Sequence, residues 1–263
     1  IPPDDHHTYA NYGIHHPFKL KHLKHEGFVN ANNSPQAMFS YENIQQLNSI
    51  PNVRESGHNF DQELFDNFED GSNLDGFCQT EKYFKHIEKE IREDFEFKDD
   101  ILQPCKEFID QYEKIIFLHV RRGDNVGRED YHPIVSFDYY DRARKYFDDD
   151  VNILVCTDDP EWCAEQSYFD DDRFLLNTDV PRYDHLCLEG DGTHKHSCVP
   201  YTDLCLMSLC QGAILAPSTL GWWGAWLQNG KGPVVAPKKW FGSKMSHLDL
   251  SDLFPDDWIA LDD

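Results

Sequence analysis

Two neighbouring arginines, Arg121 and Arg122, stand at the end of an apolar run in a chain with 24 Lys and Arg against 48 Asp and Glu, a formal net charge of −24. So acidic a protein needs a reason to gather cations at one point. A bound phosphate is the best one, because guanidinium forks match phosphate oxygens in pairs of parallel hydrogen bonds. The local sequence is F-L-H-V-R-R-G-D over residues 117–124. Successive side chains on extended backbone point to opposite sides, which assigns Arg121 to the ligand and Arg122 to an ion pair inside the protein. In a locally basic cleft such a pair neutralises a diphosphate as it becomes a leaving group, and Gly123 lets the backbone turn close to it. The competing reading gives both arginines only ion pairs with Asp124 and other acids.

Two further segments carry related chemistry. V-C-T-D-D-P, residues 155–160, leads an apolar run into paired carboxylates and a helix start. Asp158 or Asp159 either caps that helix or fixes an arginine or a ligand hydroxyl. The pair resembles part of a divalent-metal site, yet arginines already supply positive charge for a phosphate, so no metal is expected. A-P-S-T-L-G, residues 216–221, opens a helix whose first-turn amides make an anion site, with Ser218 and Thr219 as capping hydroxyls. Asp203, near the start of the preceding helix, either accepts hydrogen bonds from a guanine edge or complements the helix dipole. Trp222 and Trp226 share one helical face, suited to stacking on a base or, more economically, to packing against a sheet.

The elements that position these residues alternate. Short apolar runs at 115–120, 151–156, 213–216 and 233–236 read as strands, and 137–147, 160–166, 201–209 and 220–227 read as helices. Strands separated by helices predict a parallel α/β sheet, whose ligands sit beyond the carboxyl ends of strands. The first hundred residues are less regular. A helical stripe of Tyr83, Phe84, Ile87, Ile91 and Phe95 predicts one helix over 79–97 lying against a core. His6, His7, His15 and His16 are either a metal tract or, more simply, scattered surface histidines. Cys187 and Cys198 flank a polar loop and are candidates for pairing in an oxidising compartment, whereas Cys156, Cys205 and Cys210 read as small buried hydrophobes.

Several function classes fall away. The surplus of 24 acids over bases opposes nucleic acid and anionic membrane as partners, and no apolar run approaches the ~18 residues of a membrane span. The chain holds no G-x-S-x-G elbow, H-E-x-x-H helix, P-loop or G-x-G-x-x-G fingerprint, which removes the usual hydrolase, zinc-protease, P-loop and nicotinamide readings.

Five ordered blocks then carry a resemblance. G-F-C-Q-T-E-K-Y-F-K-H-I (76–87), H-V-R-R-G-D (119–124), C-T-D-D-P-E-W-C (156–163), D-L-C-L-M-S-L-C (203–210) and S-T-L-G-W-W-G-A-W-L (218–227), followed by V-V-A-P-K-K-W-F (234–241), make the chain resemble the alpha-1,2-fucosyltransferases. The resemblance implies a GT-B-like α/β architecture of two Rossmann-like domains facing a cleft: an N-terminal acceptor-side domain over 1–110 and a C-terminal nucleotide-sugar-binding domain over 111–263. It implies inverting transfer of L-fucose from GDP-fucose to a glycan hydroxyl, without a metal or other cofactor. Carried over by position, Arg121 holds the pyrophosphate, the His119 backbone lies near the base, Asp203 reads guanine, and Ser218 and Thr219 meet phosphate. Asp158 organises the donor pocket, and Asp124 polarises the acceptor or positions Arg122. Relatives open with a strand and a G-G-L-G-N-Q type turn that has no counterpart here, so the first domain is expected to lack that unit. Leu220-Gly221 replaces a common Phe-Ser. The resemblance fits a Golgi lumen in a eukaryote and a cytoplasm otherwise. The alternatives are a noncatalytic carbohydrate- or GDP-binding protein and a transferase using another GDP-sugar.

Overall fold

The structure, a computed structural model, describes residues 17–22, 51–179, 200–230 and 232–263. His6, His7, His15, His16, Cys187 and Cys198 lie outside them. The chain divides into two units: Ile1–Glu96 with Leu248–Pro255, and Phe97–His247 with Asp256–Asp263.

In the first unit, β1 (Asn52–Arg54) pairs in parallel with β2 (Asn73–Asp75), Val53 standing beside Leu74. Helix α1 (Gln62–Asn67) connects them, started by Asp61, whose carboxylate accepts the Leu64 amide at 2.9 Å. The helix expected over 79–97 is instead broken. Single 3-10 turns at Glu81–Tyr83 and Lys85–Ile87 precede α2 (Glu88–Asp94), and Phe84 between the turns has φ −132° and ψ 0°. The cause is Tyr83, whose hydroxyl donates to Glu55 Oε1 and accepts the Asp61 amide, each at 2.9 Å. A residue committed to two distant loops does not complete an apolar stripe. The 248–255 segment joins this unit through Asp252, which accepts the Phe60 amide at 3.2 Å and pairs with Lys82.

The second unit is built on a six-stranded sheet. Its elements are α3 (Asp99–Ile109), β3 (Ile115–Val120), α4 (Phe137–Arg144), β4 (Asn152–Thr157), α5 (Pro160–Ala164), β5 (Phe174–Leu176), α6 (Tyr201–Leu209), β6 (Ala213–Ile214), α7 (Thr219–Trp226), β7 (Val234–Pro237) and β8 (Ile259–Leu261). The strand order is β5-β4-β3-β6-β7-β8, and every pairing is parallel. All six residues of β3 are buried, as an uninterrupted apolar strand covered on both faces requires. Ile116, Leu118 and Val120 pack on one face with Tyr139, Tyr140 and Ala143 of α4 and Cys163 of α5. The alternate residue His119 turns to the opposite face, where it meets α7. Beside α7 lies α6, and α3 packs against α6.

Helix α7, T-L-G-W-W-G-A-W, contains two glycines and three tryptophans and has poor helical propensity. It forms because packing, not propensity, stabilises it. Trp222 and Trp226 are buried and stacked on each other at 6.5 Å, which selects the packing reading for this pair. Cys156, Cys205 and Cys210 are buried, as their apolar surroundings predict. No helix among the described residues is long and apolar enough to cross a membrane.

Candidate functional site

The chain order of the sheet reverses between β3 and β6. The connection after β3 leaves along the α4 face and that after β6 along the α7 face, which makes the carboxyl ends of these two strands the topological switch point, the place where open α/β sheets bind ligands. Arg121 follows β3, and Ser218 follows β6 by four residues.

Strand register assembles the first half of the site. Val120 pairs with Thr157, which sets Arg121 and Arg122 beside Asp158 and Asp159. Asp158 uses both oxygens: Oδ1 accepts the Arg122 amide at 2.9 Å, and Oδ2 accepts from Nη1 of Arg121. The other arm of the Arg121 fork donates to Asp124 Oδ1. Gly123 makes room for this contact, since a Cβ there would collide with the Asp158 carboxylate. The two arginines differ as the alternation of an extended chain requires. Arg121 keeps 33% of its side chain exposed, whereas Arg122 keeps 18% and lies over the Trp162 ring at 3.8 Å with Nε donating to Asp159 Oδ2 at 3.2 Å.

The Asp pair divides the work that the sequence left open. Asp159 is the cap of α5, accepting the Trp162 amide at 3.3 Å, with Pro160 in the first helical position. Asp158 holds the arginine. Two guanidinium groups therefore meet three carboxylates, and the expected locally basic cleft is instead a paired ionic cluster. The ion pairs of the competing reading are formed, and Asp124, which closes one arm of the Arg121 fork, has a side chain that is 65% exposed. An ion pair of that exposure is worth only about 0–1 kcal/mol, so opening it costs little.

The second half of the site rests on His119. Its ring is 97% buried against α7, and an ideal Cβ at Gly221 would lie 2.5 Å from Nδ1. Leu220-Gly221 thus gives the imidazole its space. Nδ1 has no hydrogen-bond partner. Burial first, and the Arg121 charge second, push the His119 pKa from 6.5 down to about 3, so the ring is neutral. The His119 carbonyl accepts from the Tyr140 hydroxyl at 2.9 Å. Ser218 occupies the N-cap position of α7, but its side chain makes no capping hydrogen bond, contrary to expectation. Its carbonyl starts the helix by accepting the Trp222 amide at 3.1 Å. The helix start is held by burial of the tryptophans and His119, and the Ser218 side chain does not cap the first-turn amides.

Asp203 is buried near the start of α6 and accepts from Asn177 Nδ2 at 3.0 Å. The same amide reaches the Thr157 carbonyl at 3.2 Å, tying Asp203 to the carboxyl ends of β4 and β5. Asn177 is fully buried. Sequence reasoning missed it, although a lone polar residue directly after the apolar run F-L-L was the available signal. Trp162 and Tyr140, which hold Arg122 and the β3 carbonyl, gave only the signals of ordinary helix packing.

The family model described as "Glycosyl transferase family 11" matches residues 58–262. An alpha-1,2-colitosyltransferase of Escherichia coli is 28% identical over 97% of this chain and 86% of its own length. The O-antigen biosynthesis glycosyltransferase WbnK of Escherichia coli is 31% identical over 64% of this chain and 53% of its own. Human galactoside alpha-(1,2)-fucosyltransferase 1 is 26% identical over 60% of this chain and 43% of its own, so the chain spans about half the length of the latter two. Among solved structures, fucosyltransferase NodZ from Bradyrhizobium aligns with 62% of this chain and 54% of its own at 16% identity and a TM-score of 0.38. With the family model matching more than three-quarters of its residues, the chain belongs to glycosyl transferase family 11.

Proposed function

We propose that this protein transfers L-fucose from GDP-fucose to the 2-hydroxyl of a galactoside in a glycan, with inversion and without a metal. The observation that carries the reading is the placement of Arg121, a partly exposed guanidinium at the carboxyl end of β3, at the switch point between β3 and β6. In this reading the β-phosphate displaces Asp124 from the Arg121 fork and shares it with the α7 amides, while Asp158 keeps the guanidinium aimed. Asp203 receives the guanine edge. The bond from the sugar C1 to the phosphate oxygen then breaks, positive charge grows on the ring, and the negative charge left on GDP is stabilised by Arg121. The galactoside oxygen forms the new bond at C1 from the opposite face. Its proton passes to Asp124, the carboxylate that donor binding has freed. Membership in a glycosyl transferase family and relatives named for alpha-1,2 transfer support this choice. Two Rossmann-like domains, the first taking the acceptor, complete the proposed architecture.

The test is a transfer assay with GDP-fucose and lactose in EDTA, with NMR of the product. An α-1,2-linked fucosyl product made at an undiminished rate in chelator is expected; a β linkage, or activity restored only by added divalent cation, contradicts the reading. A second donor, GDP-colitose, is favoured by one observation: the colitosyltransferase match runs over nearly the whole chain. Colitose lacks the 3-hydroxyl of fucose, so comparing kcat/KM for the two donors decides between them.

A further inference from the structure

Phe77 is 71% exposed, well beyond Leu74 at 43%, the next large apolar side chain of the first unit. Its exposure is held in place by a buried polar device. Glu55, itself 8% exposed, accepts the Phe77 amide at 2.9 Å and the Cys78 amide at 3.0 Å through Oε2, while Oε1 accepts the Tyr83 hydroxyl. Cys78 adopts φ +47°, a conformation that a residue with a Cβ rarely takes. The carboxylate and the reversed backbone together fix the turn that points Phe77 outward. Behind the ring stands His58, stacked at 5.3 Å with the planes 27° apart. Both aromatics lie just beyond the carboxyl ends of the parallel strands β1 and β2, the end of such a sheet at which ligands bind. Arg54 and Asp75, paired across those same strand ends and largely exposed, supply hydrogen-bonding groups at the edge of the platform.

From this arrangement we infer that Phe77, backed by His58, is a stacking platform for a pyranose ring of the acceptor. The inference rests on the transferase reading for the identity of its ligand. The apolar C–H face of a sugar lies flat on an aromatic ring, while the ring hydroxyls around its edge require charged or polar neighbours such as Arg54 and Asp75. A preformed, outward-facing aromatic gives this contact at small entropic cost. Phe77 is thereby a positioning residue for the acceptor and has no part in donor chemistry.

The experiment compares the parent chain with Phe77→Ala, Phe77→Trp and Tyr146→Ala, the last truncating an exposed aromatic of the other unit. Expected is a rise of about twofold to tenfold in acceptor KM for Phe77→Ala, the range given by aromatic stacking, with donor KM and GDP-fucose hydrolysis unchanged. Phe77→Trp restores the parent KM, and Tyr146→Ala leaves it unaltered. An unchanged acceptor KM in Phe77→Ala, or an equal loss in Phe77→Trp, overturns the platform. If the parent transfers nothing, saturation-transfer NMR with lactose and other β-galactosides separates the two claims. Ring-proton contacts that vanish in Phe77→Ala uphold the platform although the transfer reading has failed, and contacts equal in both proteins, or absent from both, overturn it.

Discussion

Asp124 and His119 show how much one side chain's surroundings decide. Asp124 occupies one arm of the Arg121 fork, and in the proposed function it is the carboxylate that donor binding releases. Asp124→Asn is expected to bind GDP up to about fivefold more tightly, since the competing ion pair is worth at most ~1 kcal/mol, while transfer to the acceptor slows. Calorimetry set beside transfer kinetics checks both halves; weaker GDP binding would mean that Asp124 supports the site instead of blocking it. His119 is neutral in the fold with a pKa of about 3 against 6.5 when unfolded. The unfolded chain therefore binds the extra proton, and stability is lost as pH falls from about 6.5 toward 3. Each pH unit in that window costs about 1.4 kcal/mol. Urea unfolding at pH 7 and pH 5 should show the loss, and His119→Gln should flatten the slope by roughly one proton; an identical slope in the variant would remove His119 as its source.

At the scale of elements, the strands were legible because a fully buried parallel strand is a continuous apolar run, as Ile115–Val120 shows. Helices α6 and α7 were legible for the same reason. What the sequence concealed was register and reach. Pro160 at the first helical position is the local sign that Asp159 caps α5; that Asp158 holds Arg121 follows only from the pairing of Val120 with Thr157. Likewise the stripe from Tyr83 to Phe95 reads as one helix until Tyr83 is seen to be held by Glu55, 28 residues away. Asn177 was missed because its partners, Thr157 and Asp203, are distant in sequence. Gly221 is the sharpest case of fit between elements, since the substitution that raises helix propensity also strikes a buried ring. Gly221→Ala is expected to lower stability by about 1–3 kcal/mol through overpacking and to weaken GDP binding by moving the start of α7. Adding His119→Ala should recover part of both, a coupling that a double-mutant cycle by urea denaturation measures; strictly additive effects would contradict the contact.

At the scale of the whole molecule, a net charge of −24 and a phosphate-binding role are compatible because the interaction is settled within a few ångströms. The acidic surface opposes polyanions, and in the proposed function the paired cluster at the end of β3 admits an anion by exchange. The family was legible from its ordered blocks, and the parallel sheet follows the alternation of strands and helices. The outward turn of Phe77 was not legible, because its cause is the buried carboxylate of Glu55, which follows β1 and is 22 residues away in sequence. The central claim is that a nucleotide's pyrophosphate binds at Arg121, and calorimetric titration of GDP into the parent chain and Arg121→Lys tests it most directly. Lysine keeps the charge but loses the fork, so the account expects GDP affinity to fall about tenfold to a hundredfold, the range set by losing one charge-assisted hydrogen bond, with the melting temperature little changed. Equal GDP affinity in the two proteins would contradict it.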